Sequence, residues 1–199
     1  ILKSFMNKIQ FFFIMLVFSI GIFFLSLYVY QKNIKQTKFS IYKGLNTLNL
    51  KTHKGDSLTL KNVLGTPSIF FFGFLNCPDI CPNTLTDISK IITSLGSDSK
   101  EINFYFVTVD PERDQVLEMN EYLSHFNNQI IGITGQIKNI KKFLEHMHVY
   151  YKKIYTDEDF YTLDHASNML IFKKNGDFFG TISSSESQSM IENKIKSLL

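Results

Sequence analysis

Two kinds of hydrophobic pattern divide the chain. From Ile9 to Gln31 no residue is charged, and Phe11 to Tyr30 is almost wholly apolar on every side. Twenty such residues at about 1.5 Å each reach across a bilayer core of about 30 Å, so this stretch reads as a transmembrane helix with Tyr28 and Tyr30 as aromatic anchors at one interface. A cleaved signal peptide would have a shorter apolar run, about 7–15 residues, and an A-x-A-like site after it, which is missing here. The expected organisation is a tail over 1–8, an anchor over 9–31, a polar lysine-bearing linker over 32–44 and a folded domain over 45–199. Lys3 and Lys8 precede the apolar run, whereas Lys32, Lys35, Lys38 and Lys43 follow it. Lysine counting therefore does not favour export of the carboxyl side, although that rule weakens for a large following domain.

Beyond the linker, apolar residues fall into short runs and helical stripes. Leu48–Lys51 and Ser57–Leu60 flank Lys54-Gly55-Asp56, which predicts a β-hairpin. Ser68–Phe74 is a continuous apolar run of the sort buried on both faces of a sheet. Leu85, Ile88, Ile91, Ile92 and Leu95 lie at helical spacing and predict an amphipathic helix over 84–95. The same reading places strands at 102–109, 130–134, 150–155 and 169–173, with Asn175-Gly176-Asp177 turning into 178–180. Helices are predicted over 115–126, 137–148 and 187–199. Strands alternating with helices make a three-layer α/β domain. No internal repeat, low-complexity tract or glycine-rich phosphate loop is present.

Charge narrows the function classes. Lys and Arg number 21 against 18 Asp and Glu, a net charge of +3. With no basic block, nucleic-acid binding has little support. Apolar residues make up 44% of the chain, enough for a filled core. The 2 cysteines are too few for a disulfide scaffold and too close together to be a staple, so they mark a site.

That site lies at the end of the apolar strand, in Gly73-Phe74-Leu75-Asn76-Cys77-Pro78-Asp79-Ile80-Cys81-Pro82. Cysteines at the start of a helix are expected to have a lowered pKa, from free N–H groups and the helix dipole. A Cys-x-x-Cys pair would indicate thioredoxin-type redox chemistry; one further intervening residue suits two thiolates closing on a soft metal ion, or on each other. Structural zinc asks for four protein ligands and iron–sulfur clusters usually for four cysteines, so a three-coordinate copper(I) site with one histidine is the economical solution. Five histidines compete for that place. His53 in a hairpin turn and His125 at a helix end read as solvated surface residues. His146 and His148, two apart on a predicted helix, point about 200° apart and cannot share a metal. His165, on a loop before the strand at 169–173, could face the cysteines; the alternative is a loop histidine hydrogen-bonded to Asp164.

Phe72-Gly73-Phe74 running into Cys77-Pro78-Asp79-Ile80-Cys81-Pro82, then Val109-Asp110-Pro111-Glu112-Arg113-Asp114, Gly132-Ile133-Thr134-Gly135 and Asp164-His165 resemble, in order and spacing over about residues 45–182, the Sco/SenC copper-assembly proteins. The resemblance implies a thioredoxin-like fold and a copper ion held by Cys77, Cys81 and His165. It also implies delivery of that copper to the CuA centre of cytochrome c oxidase subunit II, a possible copper-donor protein upstream, and a single-pass inner-membrane protein whose domain faces the periplasm or the mitochondrial intermembrane space. The chain departs from the usual pattern at Gln115-Val116, at Met169 and over Thr181–Ser187. The expected function is a membrane-anchored copper chaperone. The alternative is a thiol-disulfide oxidoreductase that uses Cys77 and Cys81 as a redox pair to reduce the subunit II cysteines, with a peroxidase as a more distant reading. Asp110–Asp114 is read as structural over a role in steering a copper donor or cationic partner, Asp79 as tuning the charge of the thiol site or else capping the helix, and Asp164 as a carboxylate that orients His165.

Overall fold

The computed structural model describes residues 2–43, 45–155, 160–183 and 185–199. The chain forms two compact units, Ile1–Phe39 and Ser40–Leu199. Helix α1, Leu2–Lys43, continues through the stretch expected to be a linker. The sequence explains this, since no glycine or proline interrupts residues 22–43. Within α1, Gln10–Gln31 has a mean hydropathy of 2.5 and none of it is buried. Its length, its apolar composition and the exposure of its side chains make this 22-residue stretch a candidate membrane span.

The second unit is built on a seven-stranded sheet in the order β2-β1-β5-β4-β3-β8-β9. Its strands are β1 (Leu50–Thr52), β2 (Ser57–Leu58), β3 (Ser68–Gly73), β4 (Asn103–Thr108), β5 (Ile130–Gly135), β8 (Met169–Phe172) and β9 (Phe178–Ile182). Strands β3, β4 and β5 run parallel, while β8 lies antiparallel to β3. The crossovers are helices α3 (Ile80–Leu95) and α4 (Val116–Leu123), and α5 (Ile137–His146) follows β5. Every residue of β3 is buried, as a central strand covered on both faces requires. On one face Phe70 stacks on Tyr105 with centroids 4.8 Å apart and meets Phe172 edge-on at 5.6 Å. On the other, Phe71 lies 5.8 Å from Phe106. Each such ring contributes about 1.5–3 kcal/mol by burial. The α3 stripe Leu85, Ile88, Ile91, Ile92 and Leu95 is buried as its spacing predicted. Ile191 and Ile195 of α6 (Gln188–Lys196) complete the core.

Three elements depart from the sequence reading. Leu60 opens a short helix, α2 (Leu60–Val63), and not the end of a strand; Asn62 Oδ1 accepts from the Thr59 N–H at 2.9 Å and closes the turn. Helix α3 starts at Ile80, a turn earlier than its apolar stripe shows. Most consequentially, residues 161–165 form a strand, β7 (Tyr161–His165), pairing antiparallel with β6 (Tyr151–Tyr155). The two make a separate ribbon that shares no ladder with the main sheet.

Candidate functional site

The parallel strand β3 delivers the chain to the carboxyl edge of the sheet, where α/β folds place their ligands. There the backbone turns through residues 74–79, with the Cys77 N–H donating to the Phe74 carbonyl at 3.3 Å. Cys77 is half-buried in this turn and Cys81, the second residue of α3, is fully buried. Both are free thiols. The Cys81 N–H, one of the unpaired donors of the helix start, points at Cys77 Sγ at 3.4 Å. Asp79 stands at the cap position, but its carboxylate accepts from Asn83 Nδ2 at 2.6 Å and makes no backbone cap.

Cys81 departs from the expectation of a lowered pKa. Burial raises it, the neighbouring Cys77 thiol and the Asp114 charge push the same way, and a backbone hydrogen bond at Phe74 only partly offsets them. Desolvation wins over the helix start because the sulfur is packed beneath the sheet edge. A Cβ on Gly73 would lie 2.7 Å from Cys81 Sγ and 2.8 Å from the Phe106 ring, so only glycine leaves room for the thiol.

His165 ends β7, half-buried, with Nε2 3.9 Å from Cys81 Sγ. Its Nδ1 lies 3.0 Å from the Ala166 carbonyl, a pure acceptor. That contact is a hydrogen bond when Nδ1 carries a proton, and it leaves Nε2 as the ring nitrogen turned toward the sulfur. Asp164, expected to orient the ring, lies on the opposite strand face and is exposed, because side chains alternate along a strand. Phe74 meets the imidazole edge-on at 5.8 Å and covers one side. Phe74, Cys77, Pro78, Thr162 and Asp164 line an open cleft at this point.

The structure thus brings His165 to Cys81 and Cys77 to Cys81, across 84 residues in the first case. A sulfur–sulfur–nitrogen donor set suits a soft metal ion. The three side chains are not drawn into a closed set, since among the described residues no group of three potential ligands is gathered tightly enough to hold a metal. The remaining histidines stay apart. His125 and His146 are exposed, and His148 lies past the end of α5 with φ +54°. His53 is not the solvated residue expected but is buried, its Nδ1 accepting from the Gly132 N–H at 3.0 Å. Burial and the nearby Lys54 lower its pKa.

Asp110–Asp114 is structural, as read, and more specifically than the sequence showed. Asp114 is fully buried, and its Oδ2 accepts from Thr108 Oγ1 at 2.6 Å and from the Leu75 N–H at 3.2 Å, so it holds the start of the cysteine turn. Burial nevertheless raises its pKa to about 7, outweighing both hydrogen bonds. Asp110 pairs with Arg113 Nε and accepts from the Tyr161 hydroxyl at 2.8 Å, which ties the same turn to the histidine strand. Tyr161 was no candidate in the sequence; the one available signal was the alternation of Tyr161, Leu163 and His165 with polar residues.

The fold and site define a thioredoxin-like α/β domain that presents two thiols and an imidazole at the edge of a parallel sheet. Residues 44–199 match the SCO1/SenC family, and the chain belongs to it. It is 35% identical over 126 residues to a SCO2-like protein of Rickettsia conorii, covering 62% of each chain. A SCO2-like protein of Rickettsia prowazekii is 31% identical over 170 residues, 82% of each chain. The chain thus spans 62% of the length of the first of these relatives. Bradyrhizobium japonicum ScoI, solved with copper bound, superposes with a TM-score of 0.71 at 33% identity over 75% of this chain and 96% of that one. Arabidopsis thaliana ScoI with copper bound gives 0.68 at 30% identity, over 74% and 95%.

Proposed function

We propose that this protein is a membrane-anchored copper chaperone that holds copper between Cys77, Cys81 and His165 and delivers it to the CuA site of cytochrome c oxidase subunit II. The observation that carries the reading is the approach of His165 Nε2 to Cys81 Sγ, with Cys77 beside Cys81. Copper in the related ScoI structures supports it. Thiolates and imidazole together favour copper(I), and binding releases the thiol protons. The buried Cys81 thiol opposes that release in the metal-free protein, so copper uptake carries the cost of deprotonating it. A copper-donor protein supplies the ion. The apolar segment of α1 anchors the domain in a bacterial or mitochondrial inner membrane, facing the periplasm or the intermembrane space.

A second reading draws on the open arrangement of the ligands and the two free thiols. Cys77 and Cys81 would reduce a disulfide in subunit II, giving up two protons and two electrons as they close their own disulfide. Copper titration of the full chain distinguishes the two, comparing wild type with Cys77→Ala, Cys81→Ala and His165→Ala. The chaperone reading expects one copper per chain and about a tenfold or greater loss of affinity in each variant, equivalent to about 1.4 kcal/mol or more. Copper retained equally by wild type and His165→Ala, together with rapid reduction of an oxidised subunit II peptide, would replace it with the second reading.

A further inference from the structure

His165 reaches the cysteines on a ribbon that the main sheet does not hold. Among the described residues, strands β6 and β7 share a backbone ladder only with each other. What seats β7 must therefore be side chains, and residues of one strand face recur every second position. Tyr161, Leu163 and His165 share that face. His165 sits at Cys81, and Leu163 is buried in the core. Tyr161, about 13 Å up the strand from His165, is gripped at three points: its hydroxyl donates to Asp110 Oδ1 at 2.8 Å, its carbonyl accepts from Arg113 Nη1 at 3.1 Å, and the Arg113 guanidinium lies 3.9 Å above its ring. Lys153 of β6 covers the ring as well, 4.1 Å from its centroid, and pairs with Glu112 at 2.5 Å. The turn that grips Tyr161 also holds the cysteine side, through Asp114 and the Leu75 N–H.

We propose that Tyr161 is a positioning residue for His165: through Asp110 and Arg113 it seats the β6–β7 ribbon on the turn that also holds the cysteine loop, and so sets the imidazole against Cys81. This rests on the copper reading of the site and adds the device that keeps the third ligand in place. The hydroxyl-to-carboxylate bond is charge-assisted and partly buried, so losing it loosens the far end of the strand without removing any ligand.

The test uses the full chain in detergent micelles, reduced, with copper(I) competed against bicinchoninate. Tyr161→Phe removes only the hydroxyl. It is expected to weaken copper retention about five- to tenfold with His165 present, and less than about twofold in a His165→Ala background. Amide hydrogen exchange of the metal-free protein is expected to accelerate in residues 151–155 and 161–165 and to stay unchanged in β3 and β4. Equal copper loss in both backgrounds would make Tyr161 a general stabiliser and overturn the proposal, as would unchanged exchange in the ribbon. Wild-type copper retention by His165→Ala alone overturns the three-ligand reading instead, and the exchange result then decides separately whether Tyr161 seats the ribbon.

Discussion

Replacing Gly73 with alanine adds one methyl group at the most crowded point of the site. Its Cβ would stand 2.7 Å from Cys81 Sγ, 2.8 Å from Phe106 Cε2 and 3.4 Å from Phe106 Cζ. Ordinary contacts between such atoms are about 3.5–4.0 Å, so the methyl intrudes by roughly 1 Å on two sides. Neither neighbour can yield into solvent, since Cys81 and Phe106 are both 0% exposed. Overpacking of this kind costs about 1–3 kcal/mol, or about 2–12 °C in melting temperature for a domain of this size. Urea and thermal denaturation of the reduced, metal-free chain measure the loss. Repeating the substitution in a Cys81→Ala background removes the sulfur and leaves Phe106, so the cost of Gly73→Ala should shrink by about 0.5 kcal/mol or more. A variant as stable as wild type within about 0.5 kcal/mol, or the same cost in both backgrounds, would refute the packing of Cys81 against Gly73.

Two further outcomes follow from buried titratable groups. Asp114 keeps its proton up to about pH 7 in the folded protein but only to about pH 4 when unfolded. Between those values the folded state binds more protons, so this group's contribution to stability falls as pH rises. Asp114→Asn should flatten that decline by up to a few kcal/mol in unfolding free energies from urea denaturation compared between pH 4.5 and 7.5, and an unaltered pH profile would count against the burial of that carboxyl. His53→Ala strands the buried Gly132 N–H and should cost about 1–3 kcal/mol at pH 7.5. Because the folded pKa of His53 is lowered, its stabilisation is present above the unfolded value and lost as pH falls. The penalty of His53→Ala should therefore be smaller near pH 5 than at pH 7.5, and a penalty that grew on acidification would contradict the neutral buried imidazole.

Local pattern determined most of the scaffold. The unbroken apolar run before Tyr30, the continuous strand at Ser68–Gly73 and the α3 stripe from Leu85 to Leu95 each have a periodicity that only one environment satisfies. The two cysteines identified themselves by closeness at a strand end. His165, Tyr161 and His53 were decided by contacts at long range. His53 lies in a polar turn, yet the pairing of β1 with β5 carries it beneath the Gly132 N–H. The lowered thiol pKa expected from a helix start gave way to burial of Cys81 under Gly73 and Phe106, a packing that helix position cannot reveal.

The sequence by itself determined that two thiols stand at the end of a buried strand and that an apolar helix precedes the domain. Only the tertiary structure decided how closely His165 meets Cys81 and what holds it there. Cys81 and His165 are 84 residues apart, and their meeting depends on a ribbon outside the main sheet, seated by Tyr161 on Asp110 and Arg113. Periodicity reports which face of an element is buried, whereas the partner that buries it is set by how the elements pack together.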